Sequence, residues 1–495
     1  MNILYQSTRS NMEPITASKA ILQGLASDGG LFVPTKLPKL ETSIEDLSKM
    51  DYRQCAYEVM KLLLTDFTEE ELKTCISKAY DDKFDTKEIA PLVKRDDAYF
   101  LELFHGPTIA FKDMALSILP HLLITSAKKN NIKEEIVILT ATSGDTGKAA
   151  LEGFADVEGT KIIVFYPKDG VSHIQEKQML TQKGDNTYVV GISGNFDDAQ
   201  TGVKNIFHNK DLEKRLKDKG YIFSSANSIN IGRLVPQIVY YVYSYAQLYK
   251  KGEIALDEKI NVVVPTGNFG NILAAYYAKG MGLPIDKLIC ASNENKVLFD
   301  FFNTGVYDRN RDFILTSSPS MDILISSNLE RLIFELTGKD QEKTLEFMSD
   351  LSTTGKYQIT EDMKEQMNNF IAGYASEEDT AKAIKAIYQE NGYVLDTHTA
   401  VAAFVYNEYK NNNIEDHNKT IIASTASPYK FPVSVMNAID EKYKDMDDFE
   451  LVEELKEISG VKIPKAVEGL KNAQVLHTKK CKAEEMEELV EEILG

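Results

Sequence analysis

The sequence predicts an α/β fold built on parallel sheet. Two observations carry the prediction. Short runs of β-branched and apolar residues recur without polar interruption, as parallel strands covered on both faces require. Each run leads into a loop rich in Gly, Ser, Thr or Asn, and then into a stretch with helical spacing of apolar residues.

Taken in order, residues 1–95 read as mostly helical, with helical periodicity over 51–64 and 69–79. The segment SDGGLFVP, at 27–34, predicts a turn and a short extended piece. Candidate strands follow at 136–139, leading into TATSGDTGKAA, and at 161–166, leading into PKDG. Others stand at 261–264 before PTGNFGNILAAYYA, at 288–290 before ASNEN, and at 420–423 before STASP. Residues 310–395 are more polar and helical, as an insertion would be. The end of the chain, as in AEEMEELVEEIL, is amphipathic and rich in Glu and Lys, which predicts helices with one solvated face. The expected organisation is an N-terminal region 1–95, an α/β region 96–440 with an insertion at about 310–395, and a helical tail 441–495.

Composition limits the function classes. The 495 residues carry a net charge of −19, from 75 acidic against 56 basic side chains. That balance argues against nucleic acid or an anionic membrane surface as the main partner. It leaves open a small anionic ligand held by specific donors. The four cysteines, Cys55, Cys75, Cys290 and Cys481, form no CxxC pair, and none stands near a His at metal-ligand spacing. No metal site is expected, and a reducing compartment is. No run approaches the ~18 apolar residues of a membrane helix. The opening MNILYQSTRS lacks an apolar stretch of signal type. A cytoplasmic protein, monomer or homodimer, is the expectation.

In open α/β sheets ligands gather at the carboxyl ends of the strands. After the strand ending at Val264 come Gly267, Asn268, Phe269, Gly270 and Asn271, and then a helix. Glycines admit close approach of a ligand, and free N–H groups at a helix start attract an anion. The loop suits a phosphate, or is a plain turn between strand and helix. It is neither GxGxxG nor a P-loop. The loop ATSGDTG crowds Thr142, Ser143, Asp145 and Thr146 together. This suits a carboxylate and a polar ring substituent, or serves helix capping. In HGPTIAFKD, Lys112 stands after an apolar flank where a helix begins. Desolvation and a helix N-terminus both disfavour an ammonium, and the neutral amine is the form that attacks an aldehyde.

HGPTIAFKD, SGDTG, PTGNFGN and STASP, in this order, resemble the threonine synthases, pyridoxal-phosphate enzymes of fold type II with two α/β lobes. The likeness runs from YQSTR to STASPYKFP. It implies that Lys112 carries pyridoxal 5′-phosphate covalently, and that Gly267, Asn268, Phe269, Gly270 and Asn271 cradle the cofactor phosphate. It implies that Thr425 faces the pyridine nitrogen and that Asp145 lies near the 3′-oxygen. Thr142, Ser143 and Thr146 match groups that hold the substrate α-carboxylate. Asn227, Ser228 and Arg233 match contacts to the substrate phosphate. One departure is visible, TASPYKF here against TAHPAKF, with Ser427 where His is frequent. The implied reaction converts O-phosphohomoserine and water to L-threonine and phosphate. A lyase or dehydratase releasing a 2-oxo acid, or an inactive ligand-binding relative, is the alternative on the same scaffold.

Overall fold

A computed structural model describes residues 2–142, 144–168 and 171–495, without the side chains of Phe196 and Asp197. Among the described residues the strands are β1 (Tyr5–Ser7), β2 (Phe32–Pro34), β3 (Leu92–Arg95), β4 (Ala98–Glu102), β5 (Glu135–Ala141), β6 (Thr160–Pro167), β7 (Thr187–Ser193), β8 (Tyr221–Ser224), β9 (Ile260–Pro265), β10 (Ile285–Ser292), β11 (Val306–Asp308), β12 (Lys356–Gln358), β13 (Phe370–Tyr374), β14 (Lys419–Ser424) and β15 (Lys480–Lys482). Two sheets organise the fold. The larger has the order β13-β10-β9-β14-β4-β3, and the smaller β15-β7-β6-β5-β8. All pairings in both are parallel except β3 with β4.

The uninterrupted apolar strands are explained by cover on both faces. In β9, Val262 and Val264 enter the main core while Val263 points into a second one. In β5, Ile136 and Ile138 face the main core, and Val137 and Leu139 face a third cluster outside the smaller sheet. The helix Ile231–Lys250 is buried along nearly its whole length and packs in the main core. Such a helix is apolar all round because no face meets water.

In the N-terminal region the two helices expected from periodicity are present, Tyr52–Leu63 and Glu69–Ala79, each opened by a capping box, but helix covers only about a third of residues 1–95. The segment 27–34 ends in β2, which pairs antiparallel with β1. The sequence reading did not name β4, β7 and β8, and it missed strands in two regions read as helical, β12 among them. β13 lies inside the region read as a helical insertion and adds a parallel edge to the larger sheet. β15 lies inside the tail and pairs with β7. The closing helix Met486–Leu494 then buries Met486, Val490 and Leu494 in the third cluster. No helix among the described residues is long and apolar enough to cross a membrane.

Candidate active site

Five strand ends from the two sheets converge on one cavity of about 210 Å³. β9 ends at Pro265, two residues before Gly267. The helix Gly270–Gly280 begins within the glycine loop, slightly earlier than the sequence suggests, and its first N–H groups have no intrahelical acceptor. Phe269, at its N-cap, has a positive φ of 65°. A bulky residue there is strained and is held by its surroundings, here by burial of its ring beside Phe302 and Phe370. Two of the loop carbonyls are engaged by side chains. Ser326 Oγ donates to that of Gly267 at 2.6 Å, and Asn328 Nδ2 to that of Asn268 at 2.9 Å. The hydroxyls of Tyr240 and Tyr241 donate to Asn271 Oδ1, and its buried Nδ2 has no partner among the described residues.

Lys112 is reached from β4 through the loop that ends in a single helical turn, Asp113–Leu116. So short a helix has little dipole. Burial is what pushes the Lys112 ammonium down, to about 8; Asp145 opposes the shift, and Lys430 and Arg233 add to it. Nζ donates to Ser320 Oγ at 3.0 Å and lies 3.6 Å from Asp145 Oδ2. Asp113 does not share in this. Its carboxylate accepts from the N–H and hydroxyl of Thr108, bracing the loop in front of Lys112. Burial raises its carboxyl to about 6.

β5 ends at Ala141 and leads to Thr142, whose hydroxyl oxygen accepts from the N–H groups of Gly144 (3.0 Å) and Gly147 (2.9 Å). Both acceptor positions are filled, so its O–H remains to donate. Asp145 opens the helix Asp145–Phe154. Burial raises its carboxyl, but Lys430, Lys112 and other neighbours outweigh that and hold it well below the carboxylate range. Gln175 Nε2 donates to Oδ1 at 2.7 Å, and Ser320 Oγ to Oδ2 at 2.8 Å.

After β8, Asn227 and Ser228 lead to the helix carrying Arg233. Arg233 is 3% exposed, and burial lowers its guanidinium to about 10. Nη1 donates to the Ala226 carbonyl at 2.9 Å, while the buried Nε has no partner among the described residues. After β14, Thr425 accepts at its carbonyl from Phe111 N–H (2.7 Å) and offers its N–H to Thr399 Oγ1 (3.3 Å), leaving its side chain on the cavity wall.

The cavity is thus lined by Lys112, Thr142, Asp145, Thr146, Asn227, Ser228, Arg233, Gly267, Asn268, Phe269, Gly270, Asn271 and Thr425. Ser143 lies outside the described residues. Ser427 is not on the wall. Its hydroxyl accepts from Tyr429 N–H at 3.3 Å and caps the turn Pro428–Lys430. Sequence reasoning missed Ser320, His398 and Lys430. Ser320 N–H donates to His398 Nε2 at 3.1 Å, and His398 Nδ1 meets Asp396 Oδ2 at 2.8 Å. The polar cluster SSPSMD and the capping Asp396 were the available signals.

The N-terminal region also braces the site. Arg331, fully buried, donates from Nε to the Phe32 carbonyl at 3.0 Å and from Nη1 to Asn328, the residue that grips the glycine loop.

A buried amine in one cavity with two unpartnered buried donors, Asn271 Nδ2 and Arg233 Nε, fits a phosphorylated aldehyde cofactor. The sequence matches the family described as "Pyridoxal-phosphate dependent enzyme" over residues 86–425, and the chain belongs to that class of enzymes. Residues 4–80 match "Threonine synthase N terminus", and 399–481 match "Threonine synthase, C-terminal". Threonine synthase of Saccharomyces cerevisiae is 36% identical over 98% of both chains. A structure of PLP-bound threonine synthase from Brucella melitensis superposes with a TM-score of 0.86 at 33% identity, covering 100% of this chain and 99% of that one. The chain belongs to the threonine synthase family, whose cofactor is pyridoxal phosphate. It is also 40% identical, over 87% of its length, to Threonine synthase-like 1 of Macaca fascicularis, and spans 58% of that longer protein.

Proposed function

We propose that the protein converts O-phosphohomoserine and water to L-threonine and phosphate. The observation that carries this reading is one cavity holding a buried amine, Lys112, and two separate buried donors without partners among the described residues, Asn271 Nδ2 and Arg233 Nε. The first stands with the glycine loop, suited to the cofactor phosphate. The second stands with Asn227 and Ser228 on the same wall, suited to the phosphate of the substrate.

Pyridoxal phosphate, when bound, supplies a conjugated ring that delocalises negative charge formed on a substrate carbon. The remaining work falls to this chain. Lys112 holds the cofactor, and as a free amine with a lowered pKa it moves protons at Cα and Cβ. Thr142, by its free O–H, with Ser143 and Thr146, holds the α-carboxylate. Arg233 stabilises the phosphate as it leaves Cγ. Thr425 would offer its hydroxyl to the ring nitrogen, where a neutral partner leaves the ring less electron-withdrawing than a carboxylate would. Asp145 would serve on the side of the ring oxygen. The four unpaired, buried cysteines support a reducing, cytoplasmic setting.

The test is incubation with O-phosphohomoserine, wild type beside Lys112→Ala, following phosphate and threonine together. Both products appear in step with wild type, and neither with the variant. Release of 2-oxobutyrate in place of threonine, or an active Lys112→Ala, overturns the reading.

A further inference from the structure

We propose that Lys430 is a positioning residue, the standing counter-ion of Asp145, whose presence leaves Lys112 free to serve as a neutral amine. The inference rests on the reading of Lys112 as the reacting amine. Its geometric basis is a division of labour around one carboxylate. Lys430 is fully buried, on the turn Pro428–Lys430. Its Nζ donates to the Thr108 carbonyl at 2.8 Å and lies 3.2 Å from Asp145 Oδ1. Lys112 stands at the other oxygen, farther off at 3.6 Å, with the Ser320 hydroxyl between them. Lys112 lines the cavity and Lys430 does not. A cation has been placed where no ligand reaches it, against the one carboxylate that would otherwise hold Lys112 charged.

Two buried ammonium groups beside one carboxylate leave one of them without an equal partner. The other groups facing Lys112 do not change this. Arg233, on the helix Ile231–Lys250, is a further cation; Asp113 is engaged by Thr108. His398, on the helix Thr397–Asn412, stands behind Ser320, accepting its N–H at Nε2 and meeting Asp396 through Nδ1. Asp322 is engaged by Asn293 and Asn295, both at 2.8 Å. Burial, with Lys430 and Arg233 behind it, keeps the Lys112 amine at about 8 against the pull of Asp145.

The experiment measures acetylation of Lys112 against pH in cofactor-stripped protein, by mass spectrometry of the peptide that carries it. Wild type has its midpoint near 8. Lys430→Gln keeps a donor for Thr108 and removes the charge; it moves the midpoint up by about one unit, so labelling at pH 7 falls about tenfold. Lys430→Met does the same, and Lys430→Arg leaves the midpoint in place. A folded neutral variant with an unmoved midpoint overturns the proposal. If neither neutral variant folds, Lys430→Arg decides: an unmoved midpoint supports the proposal, and a rise of about a unit overturns it. Borohydride trapping of the cofactor in wild type runs alongside. Trapping away from Lys112 sinks the functional reading itself, whereas trapping on Lys112 with unmoved midpoints sinks only the role of Lys430.

Discussion

Gly267→Ala probes how the glycine loop and the Pro319–Met321 turn hold each other. A Cβ at position 267 would lie 2.6 Å from the carbonyl oxygen of Ser320 and 3.3 Å from Met321 Cα. The first contact must open by roughly half an ångström, and because a backbone atom is in the way, one of the two loops has to move. Overpacking of this kind costs about 1–3 kcal/mol. The same Ser320 bridges Lys112 and Asp145, so the shift reaches the reacting amine. A displacement near 1 Å lowers a rate by up to about 100-fold. The assay pairs urea unfolding, followed by circular dichroism, with the rate of threonine release from O-phosphohomoserine. Gly270→Ala is the stability control, since its nearest atom would be at 3.5 Å, an ordinary contact. The expected result is a lower unfolding midpoint and a slower rate for Gly267→Ala, with a midpoint near wild type for Gly270→Ala. Wild-type stability and rate in Gly267→Ala would refute the bracing of loop by turn.

Two further predictions concern stability. His105 bonds Asp85 through Nδ1 at 2.6 Å and Glu102 through Nε2 at 2.9 Å. Burial lowers its pKa, but the two carboxylates outweigh that and raise it to about 9. A pKa raised on folding stabilises fully below the unfolded value, ~6.5, and the contribution is lost as pH rises through about 9. The free energy of unfolding between pH 6 and 9.5 should therefore fall in wild type, by up to about 3 kcal/mol, and show a flatter profile in His105→Gln. Equal slopes would count against the clamp. Deleting residues 480–495 removes β15 and the closing helix, and with them four side chains of the third cluster, Cys481, Met486, Val490 and Leu494. At about 1.5 kcal/mol for each, the loss is on the order of 6 kcal/mol. Limited proteolysis should then cut within the smaller sheet first, and a cleavage pattern like that of wild type would contradict this.

The strands read from the sequence, β5, β6, β9, β10 and β14, were legible because each is covered twice; the inner strands β4 and β7 were not read. Residues 262–264 alternate between two cores, so every position is apolar and the run stands out. β13 and β15 did not stand out. They are sheet edges, and in β15 only Cys481 of the triplet KCK is buried, so pairing and not composition makes it a strand. The loops followed the same rule. Gly267 to Asn271 carry their chemistry in consecutive residues, where backbone geometry alone brings donors together. Ser320 acts 208 positions from Lys112, which no local pattern reveals.

By itself, the sequence determined the alternation of strand and helix, the loops at the carboxyl ends of the strands, and Lys112 within an apolar flank. Those are local properties, written in spacing and side-chain type. What lowers the pKa of Lys112 was decided only by tertiary structure. The single turn after it contributes little; burial contributes most, and the charges of Asp145, Lys430 and Arg233 set the rest. Electrostatic interaction depends on distance through space and on exclusion of water, and neither is a function of separation along the chain.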